Sequence, residues 1–281
     1  MTGAIVVGID GSTQSQQAME WAFDEARRTG APLHLLHAAS DRTYSGHVDQ
    51  LFREVLIEDA KELVAAAKQK VPTDLTDRCR VEWVLGSPVE VLVHAAEGAR
   101  MMVVGSHGRG AIGAALLGAV GRHVARHAPG PVVVVHGASA TGSRVVVGLD
   151  PATAEPAVQM AFEQAAARQL PLTVLHAWTL PPLTGPGLGV PMTGIDMDDI
   201  ERGERSSVDE VMKTWAGKYP DVDAELQMVR GDSRKVLVEA SENSELVVVG
   251  AHGRGWFSGL LLGSTSSAVA AHAHCPVLIA R

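Results

Sequence analysis

Cysteine, clustered basic side chains and long apolar runs are all scarce in this chain of 281 residues. The two cysteines, Cys79 and Cys275, share no motif spacing, which argues against a disulfide framework or zinc knuckle and predicts two buried, reduced thiols. No basic cluster exceeds Arg27-Arg28 and the net charge is −8, which argues against a nucleic-acid partner because phosphate neutralisation needs grouped Lys and Arg. No run approaches the roughly 20 apolar residues that span a bilayer, and the N-terminus lacks the charged and apolar regions of a signal peptide. We therefore expect no membrane partner and a cytoplasmic location.

Apolar residues make up 46 % of the chain, which is ample for packed cores, and its length suits one large or two ordinary domains. In the first half, short β-branched runs alternate with amphipathic helical stretches. The runs that read as strands are residues 5–9, 33–38, 80–85, 101–104 and 131–135. Strands that are apolar throughout and alternate with helices indicate an α/β fold, in which a parallel sheet is covered by helices on both faces.

The pattern then starts again. Residues 144–150 (Arg-Val-Val-Val-Gly-Leu-Asp) restate residues 4–10 at an offset of 140, and Pro276 restates Pro131 at an offset of 145. The added length falls between the second and third strands, where residues 179–194 are rich in Pro and Gly and are expected to form a mobile flap. A small, polar linker at 137–143 separates the copies. The chain is predicted to be two tandem domains, 1–138 and 143–281, each with an open five-stranded parallel sheet.

A glycine motif follows the fourth strand of each copy and opens into a helix. Each motif has two residues between its first two glycines and nine between the second and third: Gly105, Gly108 and Gly118 in the first half, and Gly250, Gly253 and Gly263 in the second. Backbone N–H groups point outward where a glycine loop meets a helix N-terminus, and the helix dipole favours negative charge there. The duplicated motif therefore predicts two anion-binding sites.

The residues that leave the first strand of each copy complete a candidate nucleotide site. A five-stranded unit of order 3-2-1-4-5 reverses between strands one and four, and ligands bind at such a reversal. Gly8 and Asp10, like Gly148 and Asp150, leave strand one. One side of the crevice therefore carries a carboxylate that could bind ribose hydroxyls. The other side carries N–H donors that could bind phosphates.

Simpler interpretations and competing motifs also exist. The aspartates and the Ser264-Thr265 pair would also suit helix caps, and the glycines would suit tight turns. A Walker A loop is excluded because no Lys lies near either glycine loop, and the dinucleotide fingerprint belongs after the first strand. His123 and His127 are spaced as metal ligands on a helix, but they lack a third partner in the sequence, so we expect no metal site.

These residues resemble the universal stress protein family, in particular its tandem-domain members, over essentially the whole chain. The resemblance implies a Rossmann-like fold in both halves and an ATP-binding signature in the Gly-x2-Gly-x9-Gly-Ser/Thr pattern. It also implies ATP, with Mg²⁺, as the ligand. In such a protein the aspartate contacts the ribose or adenine, the residue after the strand-two histidine lies against the adenine, and the loop holds the phosphates.

Carried over by position, the resemblance gives one set of candidate residues for each half. The first set is Gly8, Asp10, Ala38, Gly105, Ser106, His107, Gly108, Arg109, Gly110, Gly118, Ala119 and Val120. The second set is Gly148, Asp150, Ala177, Gly250, Ala251, His252, Gly253, Arg254, Gly255, Gly263, Ser264 and Thr265, with Ser266 as a further hydroxyl. Ala119 and Val120 replace the hydroxyls in the first half. We therefore predict two sites of unequal affinity, with the second tighter.

Three functions are consistent with these residues: a nucleotide-dependent stress or signalling regulator with little turnover, a slow ATP hydrolase or nucleotidyl-transferring enzyme, and a nucleotide-free scaffold. The regulator is favoured because the predicted phosphate-binding loops contain no evident general base and no Lys. No catalytic residue is predicted. The fifth strands, at 131–136 and 276–280, would leave open edges. They are expected to pair and form an internal pseudo-dimer, and association of whole chains into a homodimer is a further possibility.

Overall fold

The computed structural model describes residues 3–40, 50–108, 117–137, 142–151, 155–179, 197–252 and 262–281, without the side chains of 50–52 and 197–198. Residues 138–141 of the predicted linker (137–143) and residues 180–194 of the predicted flap (179–194) lie outside the described residues. Within this part of the chain, strands and helices alternate through both halves, as the apolar runs predicted.

The first half contains five strands, four α-helices and a 3₁₀ helix within its described residues. The strands are β1 Ile5–Gly8, β2 Leu33–Ala39, β3 Cys79–Leu85, β4 Met101–Gly105 and β5 Val132–Val135. The helices are α1 Thr13–Thr29, α2 Gln50–Lys70, α3 Pro88–Ala95 and α4 Ala119–His127, and the 3₁₀ helix is Thr73–Arg78.

The second half repeats this order. Its strands are β6 Val145–Gly148, β7 Leu172–Trp178, β8 Ala224–Arg230, β9 Leu246–Gly250 and β10 Val277–Ala280. Its helices are α5 Glu155–Arg168, α6 Met197–Lys218, α7 Ser233–Ser241 and α8 Ser264–His272.

All ten strands form one sheet, in the order β3-β2-β1-β4-β5-β10-β9-β6-β7-β8. Every pairing within a half is parallel, and each half has the predicted order 3-2-1-4-5. The halves meet where β5 pairs with β10 antiparallel, with Val133 opposite Leu278. The expectation that the two fifth strands pair into an internal pseudo-dimer is confirmed.

Beside the strand pairing, two side chains at equivalent positions of the repeat form hydrogen bonds to the opposite half. His136, just after β5, places Nε2 3.1 Å from the carbonyl oxygen of Ala270 on α8. Arg281, 145 residues further along, donates from its guanidinium to the carbonyl oxygen of Ala125 on α4. The residue that follows the fifth strand of each half therefore forms a hydrogen bond with a helix of the other half.

Helices cover both faces of the sheet. Buried side chains of α1, α2, α5 and α6 pack against one face, and those of α3, α4, α7 and α8 pack against the other. Local signals explain several helix ends. The Ser12 hydroxyl accepts the Ser15 N–H to begin α1, Gly30 ends it in the left-handed conformation (φ 71°), and Pro88 occupies the first turn of α3.

The prediction that both cysteines are buried is confirmed for only one of them. Cys275 is buried, whereas Cys79 is only half-buried at the outer strand β3. Burial raises the pKa of Cys79 to about 11 and that of Cys275 to about 12, so both are protonated thiols at neutral pH. None of the helices in the described ranges is both long enough and apolar enough to cross a membrane.

Candidate functional site

The strand order reverses beside β1 in the first half and beside β6 in the second. β1 pairs with β2 on one side and β4 on the other, and β6 pairs likewise with β7 and β9. The chain leaves β1 at Asp10 and leaves β4 into the first glycine motif, so both emerge at the same end of the sheet. This end is where parallel α/β sheets bind ligands.

In the first half, Asp10 and the glycine loop are brought together. One carboxylate oxygen, Oδ1, accepts the Ser12 N–H at 2.9 Å and the Ser12 hydroxyl at 2.6 Å, which fixes the turn before α1. The other oxygen, Oδ2, lies so near Gly108 that a Cβ there would be 2.6 Å from it. Asp10 thus supports the cap residue Ser12, and its carboxylate also lines the predicted crevice.

Several candidate glycines are explained by packing. A Cβ on Gly105 would lie 2.8 Å from the backbone of Gln14 in α1. A Cβ on Gly8 would lie 3.0 Å from Leu92, and one on Gly148 would lie 2.7 Å from Leu237. Gly105 therefore requires a missing side chain for the fold itself, because its neighbour is backbone. At Gly8 and Gly148 a Cβ would meet only the ends of leucine side chains, which would have to shift to make room.

The third glycine of each motif is different. Gly118 and Gly263 have φ of −58° and −65°, which any residue adopts. A Cβ on either would make only ordinary contacts, the nearest at 3.5 Å and 3.4 Å. Neither backbone conformation nor packing within the described structure requires glycine there. A bare backbone at both points fits the close approach of a ligand.

Gly118 and Gly263 are also the N-caps of α4 and α8, and neither supplies a side-chain hydrogen bond. By contrast, Ser12 caps α1 and Asp232 caps α7 with side-chain oxygens. The first-turn N–H groups of α4 and α8 therefore lack a side-chain acceptor from their caps. Such groups, with the helix dipole behind them, form a ready anion site.

The hydroxyls at the start of α8 have three different environments. Ser264 is exposed, and within the described residues no hydrogen bond engages its side chain. Thr265 is half-buried, with Oγ1 3.0 Å from the Ser233 hydroxyl. Ser266 is buried and donates to the carbonyl of Gly250. The expectation that Ser266 adds a hydroxyl for phosphate is therefore wrong, because that hydroxyl ties α8 to β9.

The first half has no hydroxyl at the matching positions. Ala119 is exposed at the start of α4, and Val120 packs against the apolar core. Gly121 matches Ser266, and a Cβ there would lie 3.5 Å from the Gly105 carbonyl oxygen. Only backbone N–H groups are left to meet an anion at this helix N-terminus.

The loop residues next to the first glycine also differ between halves. Ser106 is buried with its hydroxyl 3.0 Å from His107 Nδ1, and Ala251 takes its place in the second half. His107 Nε2 is buried and has no hydrogen-bond partner among the described residues. His252 matches His107 at the end of the described part of the second loop. Five candidates lie outside the described residues: Arg109, Gly110, Gly253, Arg254 and Gly255.

The strand-two histidines contribute to the site and were not among the candidates. His37 Nδ1 lies 2.8 Å from the Ile9 carbonyl oxygen, and His176 Nδ1 lies 2.9 Å from that of Leu149. Because a carbonyl only accepts, each Nδ1 carries the proton and fixes the backbone just before the aspartate. Their recurrence before Ala38 and Ala177, which are half-exposed at the strand ends, was the signal that could have identified them.

No group of three or more His, Cys, Asp or Glu that could hold a metal ion occurs in the described ranges. The His123 and His127 rings stack with centroids 5.3 Å apart. Each Nδ1 lies near the carbonyl oxygen four residues earlier, at 3.3 Å for His123 and 2.8 Å for His127. These two rings are therefore part of the exposed helix surface.

Comparison with known proteins identifies the family. The model of the universal stress protein family matches residues 1–136 and 143–281. A universal stress protein of Mycolicibacterium smegmatis is 36 % identical over 291 residues, covering 99 % of this chain and 96 % of the relative. One from Mycobacterium tuberculosis is 32 % identical over 294 residues, with the same coverage.

A solved structure shares the fold of the whole chain. The crystal structure of a universal stress protein from Archaeoglobus fulgidus matches with a TM-score of 0.71 and 21 % identity, covering 98 % of this chain and 95 % of that one. The match spans both halves, as the two family-model matches do. The chain is therefore a tandem member of the universal stress protein family.

Proposed function

We propose that this protein binds ATP at the sheet end of its second half and acts as a nucleotide-dependent regulator of stress response or signalling, with little or no turnover. The observation that carries the proposal is the start of α8. There an uncapped helix N-terminus follows Gly263, a glycine that the fold itself does not require, and the exposed Ser264 hydroxyl stands beside it. Phosphate groups match this combination of bare N–H donors and a hydroxyl.

A first-half site of lower affinity is part of the same proposal. Gly118 presents the same bare backbone, but Ala119 and Val120 offer no hydroxyl. A hydrogen bond to a charged group contributes about 1.5–3 kcal/mol, which corresponds to roughly ten- to a hundredfold in affinity. The first half would then bind the same nucleotide through Asp10, its glycine loop and the backbone N–H groups of α4, without a hydroxyl at the helix N-terminus.

Any Mg²⁺ would enter with the nucleotide. Magnesium is usually held by substrate phosphates, waters and one or two protein oxygens. The Ser264 hydroxyl and the Asp150 carboxylate supply oxygens of this kind at the second site. When bound, the ion would neutralise charge on the phosphate chain.

Slow hydrolysis or nucleotidyl transfer is the alternative, and the first half gives a reason to favour binding alone. A general base needs a carboxylate oxygen that is available to a water molecule. Asp10 Oδ1 is engaged by both the N–H and the hydroxyl of Ser12, and Oδ2 faces Gly108. One of the two carboxylate oxygens of Asp10 is therefore committed to holding the turn before α1.

The test has two parts. The purified protein is denatured and any released nucleotide identified, and phosphate release from added ATP is then followed over hours. We expect adenine nucleotide with negligible phosphate release, whereas steady release would support the hydrolase.

In the second part, ATP is titrated calorimetrically into nucleotide-free protein, alongside Ser264→Ala and its matched reverse, Ala119→Ser. We expect two unequal sites. Ser264→Ala should lower the ATP affinity of the tight site about ten- to a hundredfold, and Ala119→Ser should raise that of the weak site. Two equal sites, or no ATP binding at all, would rule out the proposal.

A further inference from the structure

A hydroxyl pair joins two helices beside the second site. Ser233 is the first residue of α7 and Thr265 the second residue of α8. Their hydroxyl oxygens are 3.0 Å apart and partly buried. Both helices begin at the sheet end where β8 and β9 finish, so the pair lies beside Ser264 and the uncapped N–H groups of α8.

The repeat shows that the fold does not need this pair. At an offset of 145 residues, Pro88 takes the place of Ser233 and Val120 that of Thr265. Those two positions begin α3 and α4 in the same arrangement, with Val120 packed against the apolar core. Two hydroxyls in the second half therefore stand where the first half has apolar side chains, in the same half that keeps Ser264.

Either hydroxyl of the pair can be the donor, and one of the two directions leaves the threonine hydrogen available to a ligand. Each hydroxyl has one hydrogen and two acceptor lone pairs. When Ser233 donates to Thr265 Oγ1, the Thr265 hydrogen is left to donate to a further acceptor. Hydrogen bonds in such a chain polarise one another, so the second donor is strengthened by the first.

The charges at the start of α7 differ from those at the start of α3. The N-cap Asp232 is paired with Arg234, which leaves Lys235 as the unbalanced charge. Lys235 follows in the first turn of α7, whereas Glu90 occupies the matching position of α3. A cation in place of an anion favours a ligand of higher negative charge. Each added phosphate brings both charge and acceptor oxygens, so these differences favour a longer phosphate chain in the second half.

We propose that Ser233 is a positioning residue of the second site, which orients the Thr265 hydroxyl toward bound phosphate and makes this site prefer nucleoside triphosphates to monophosphates. The inference rests on the proposed function, because it requires a nucleotide at the start of α8. Ser233 acts through Thr265, so its effect depends on the threonine hydroxyl.

Calorimetric titration of the full chain, freed of nucleotide, with ATP and separately with AMP tests this role. We expect Ser233→Ala to raise the Kd of the tight site for ATP about fivefold and that for AMP less than twofold. Ser233→Thr keeps the hydroxyl and should retain wild-type affinity. Thr265→Val should weaken ATP binding, and adding Ser233→Ala to it should have no further effect.

Two controls separate positioning from packing. Ser233→Pro introduces the first-half residue, which the first turn of a helix accepts, so its ATP affinity should fall as in Ser233→Ala while the fold is retained. Pro88→Ser adds a hydroxyl that has no threonine partner and should leave both affinities unchanged.

Three results would overturn this inference alone. They are an unchanged ATP affinity in Ser233→Ala, an equal loss of affinity for ATP and AMP in that variant, and additive losses of ATP affinity in the double variant. A wild-type chain that binds no ATP would overturn it together with the proposed function.

Discussion

His136 makes the stability of the protein depend on pH. Its Nε2 lies 3.1 Å from the Ala270 carbonyl oxygen, so the ring serves as a neutral donor, and burial lowers its pKa to about 4. In the unfolded chain the pKa is near 6.5, so the unfolded state binds the extra proton between these values. The His136 contribution is therefore lost as pH falls from about 6.5 to about 4, by up to roughly 3 kcal/mol, and changes little below that.

His136→Gln is the matched variant, because an amide can donate to Ala270 without titrating. Chemical unfolding of both proteins from pH 7.5 to pH 4 gives two stability curves, and their difference isolates residue 136. His107, His272 and His274 also lower the pKa of His136, but they are present in both proteins. A difference curve that stays level through this range would show that the ring is not held neutral.

Single glycines show what sequence could and could not predict. Spacing identified Gly105 and Gly118 as members of one motif, yet the first is required by packing on Gln14 and the second is not. The distinction depends on which backbone comes near each Cα, and spacing within the loop does not carry that information. Ser266 was misassigned for the same reason, because its acceptor, the Gly250 carbonyl, lies on the preceding strand.

At the scale of elements, the apolar runs predicted the strands closely. The runs 5–9 and 33–38 became β1 Ile5–Gly8 and β2 Leu33–Ala39, and both halves adopted the predicted strand order. This agreement has a physical cause, since a strand buried on both faces must be apolar along its whole length. The strand-two histidines were missed because their acceptor carbonyls on the neighbouring strand are set by sheet register.

The N-terminus of α8 offers a test in which stability and binding change in opposite directions. Asp is a better N-cap than Gly, and a Cβ at Gly263 has room, with its nearest contact at 3.4 Å. Gly263→Asp should therefore raise the stability of the free protein by a few tenths of a kcal/mol. Its carboxylate would occupy the N–H groups meant for phosphate and repel the nucleotide, so ATP binding in the second half should be lost.

The same substitution at Gly118 is the internal control, because that cap begins α4 in the first half. Gly118→Asp should leave the tight site intact and remove only the weak one. Thermal unfolding and calorimetric titration of both variants provide the two readouts. Wild-type ATP affinity in Gly263→Asp would mean that phosphate does not bind at this helix.

At the scale of the whole molecule, a buried charge lies where the halves meet. Glu25 on α1 is fully buried, accepts the Gln164 amide at 2.9 Å and pairs with Arg168 at 2.9 Å. Glu25 and Gln164 are equivalent positions of the repeat, 139 residues apart. Sequence patterns did not predict this contact, because a Glu on an amphipathic helix is normally expected to face solvent.

Removing Arg168 should destabilise the fold strongly. Arg168→Ala removes the closest cation from the buried Glu25 carboxylate and leaves the Arg28 guanidinium, 3.5 Å away. Breaking a buried pair outright costs about 3–5 kcal/mol, so we expect a loss toward the lower end of that range. The exposed pair Arg27–Asp74 provides the control, and Arg27→Ala should have a much smaller effect because solvent screens it. Urea unfolding midpoints compare the two, and an Arg168→Ala midpoint equal to that of wild type would contradict a structural role for the pair.

The β5–β10 seam should hold the halves together without the covalent linker. The residues of β5 and β10 are buried, with Val133 opposite Leu278, and an unpaired strand edge of this kind would pair with another strand. A protease site introduced at 138–141 allows the linker to be cut in the folded protein. After cutting, both fragments should elute together from a sizing column at the position of the intact chain.

Leu278→Lys should release them, because it places an unpaired charge in the seam. Val84→Lys, on the partly exposed outer strand β3, should not. Separation of the unsubstituted fragments would show that the linker, and not the strand pairing, keeps the two halves in contact.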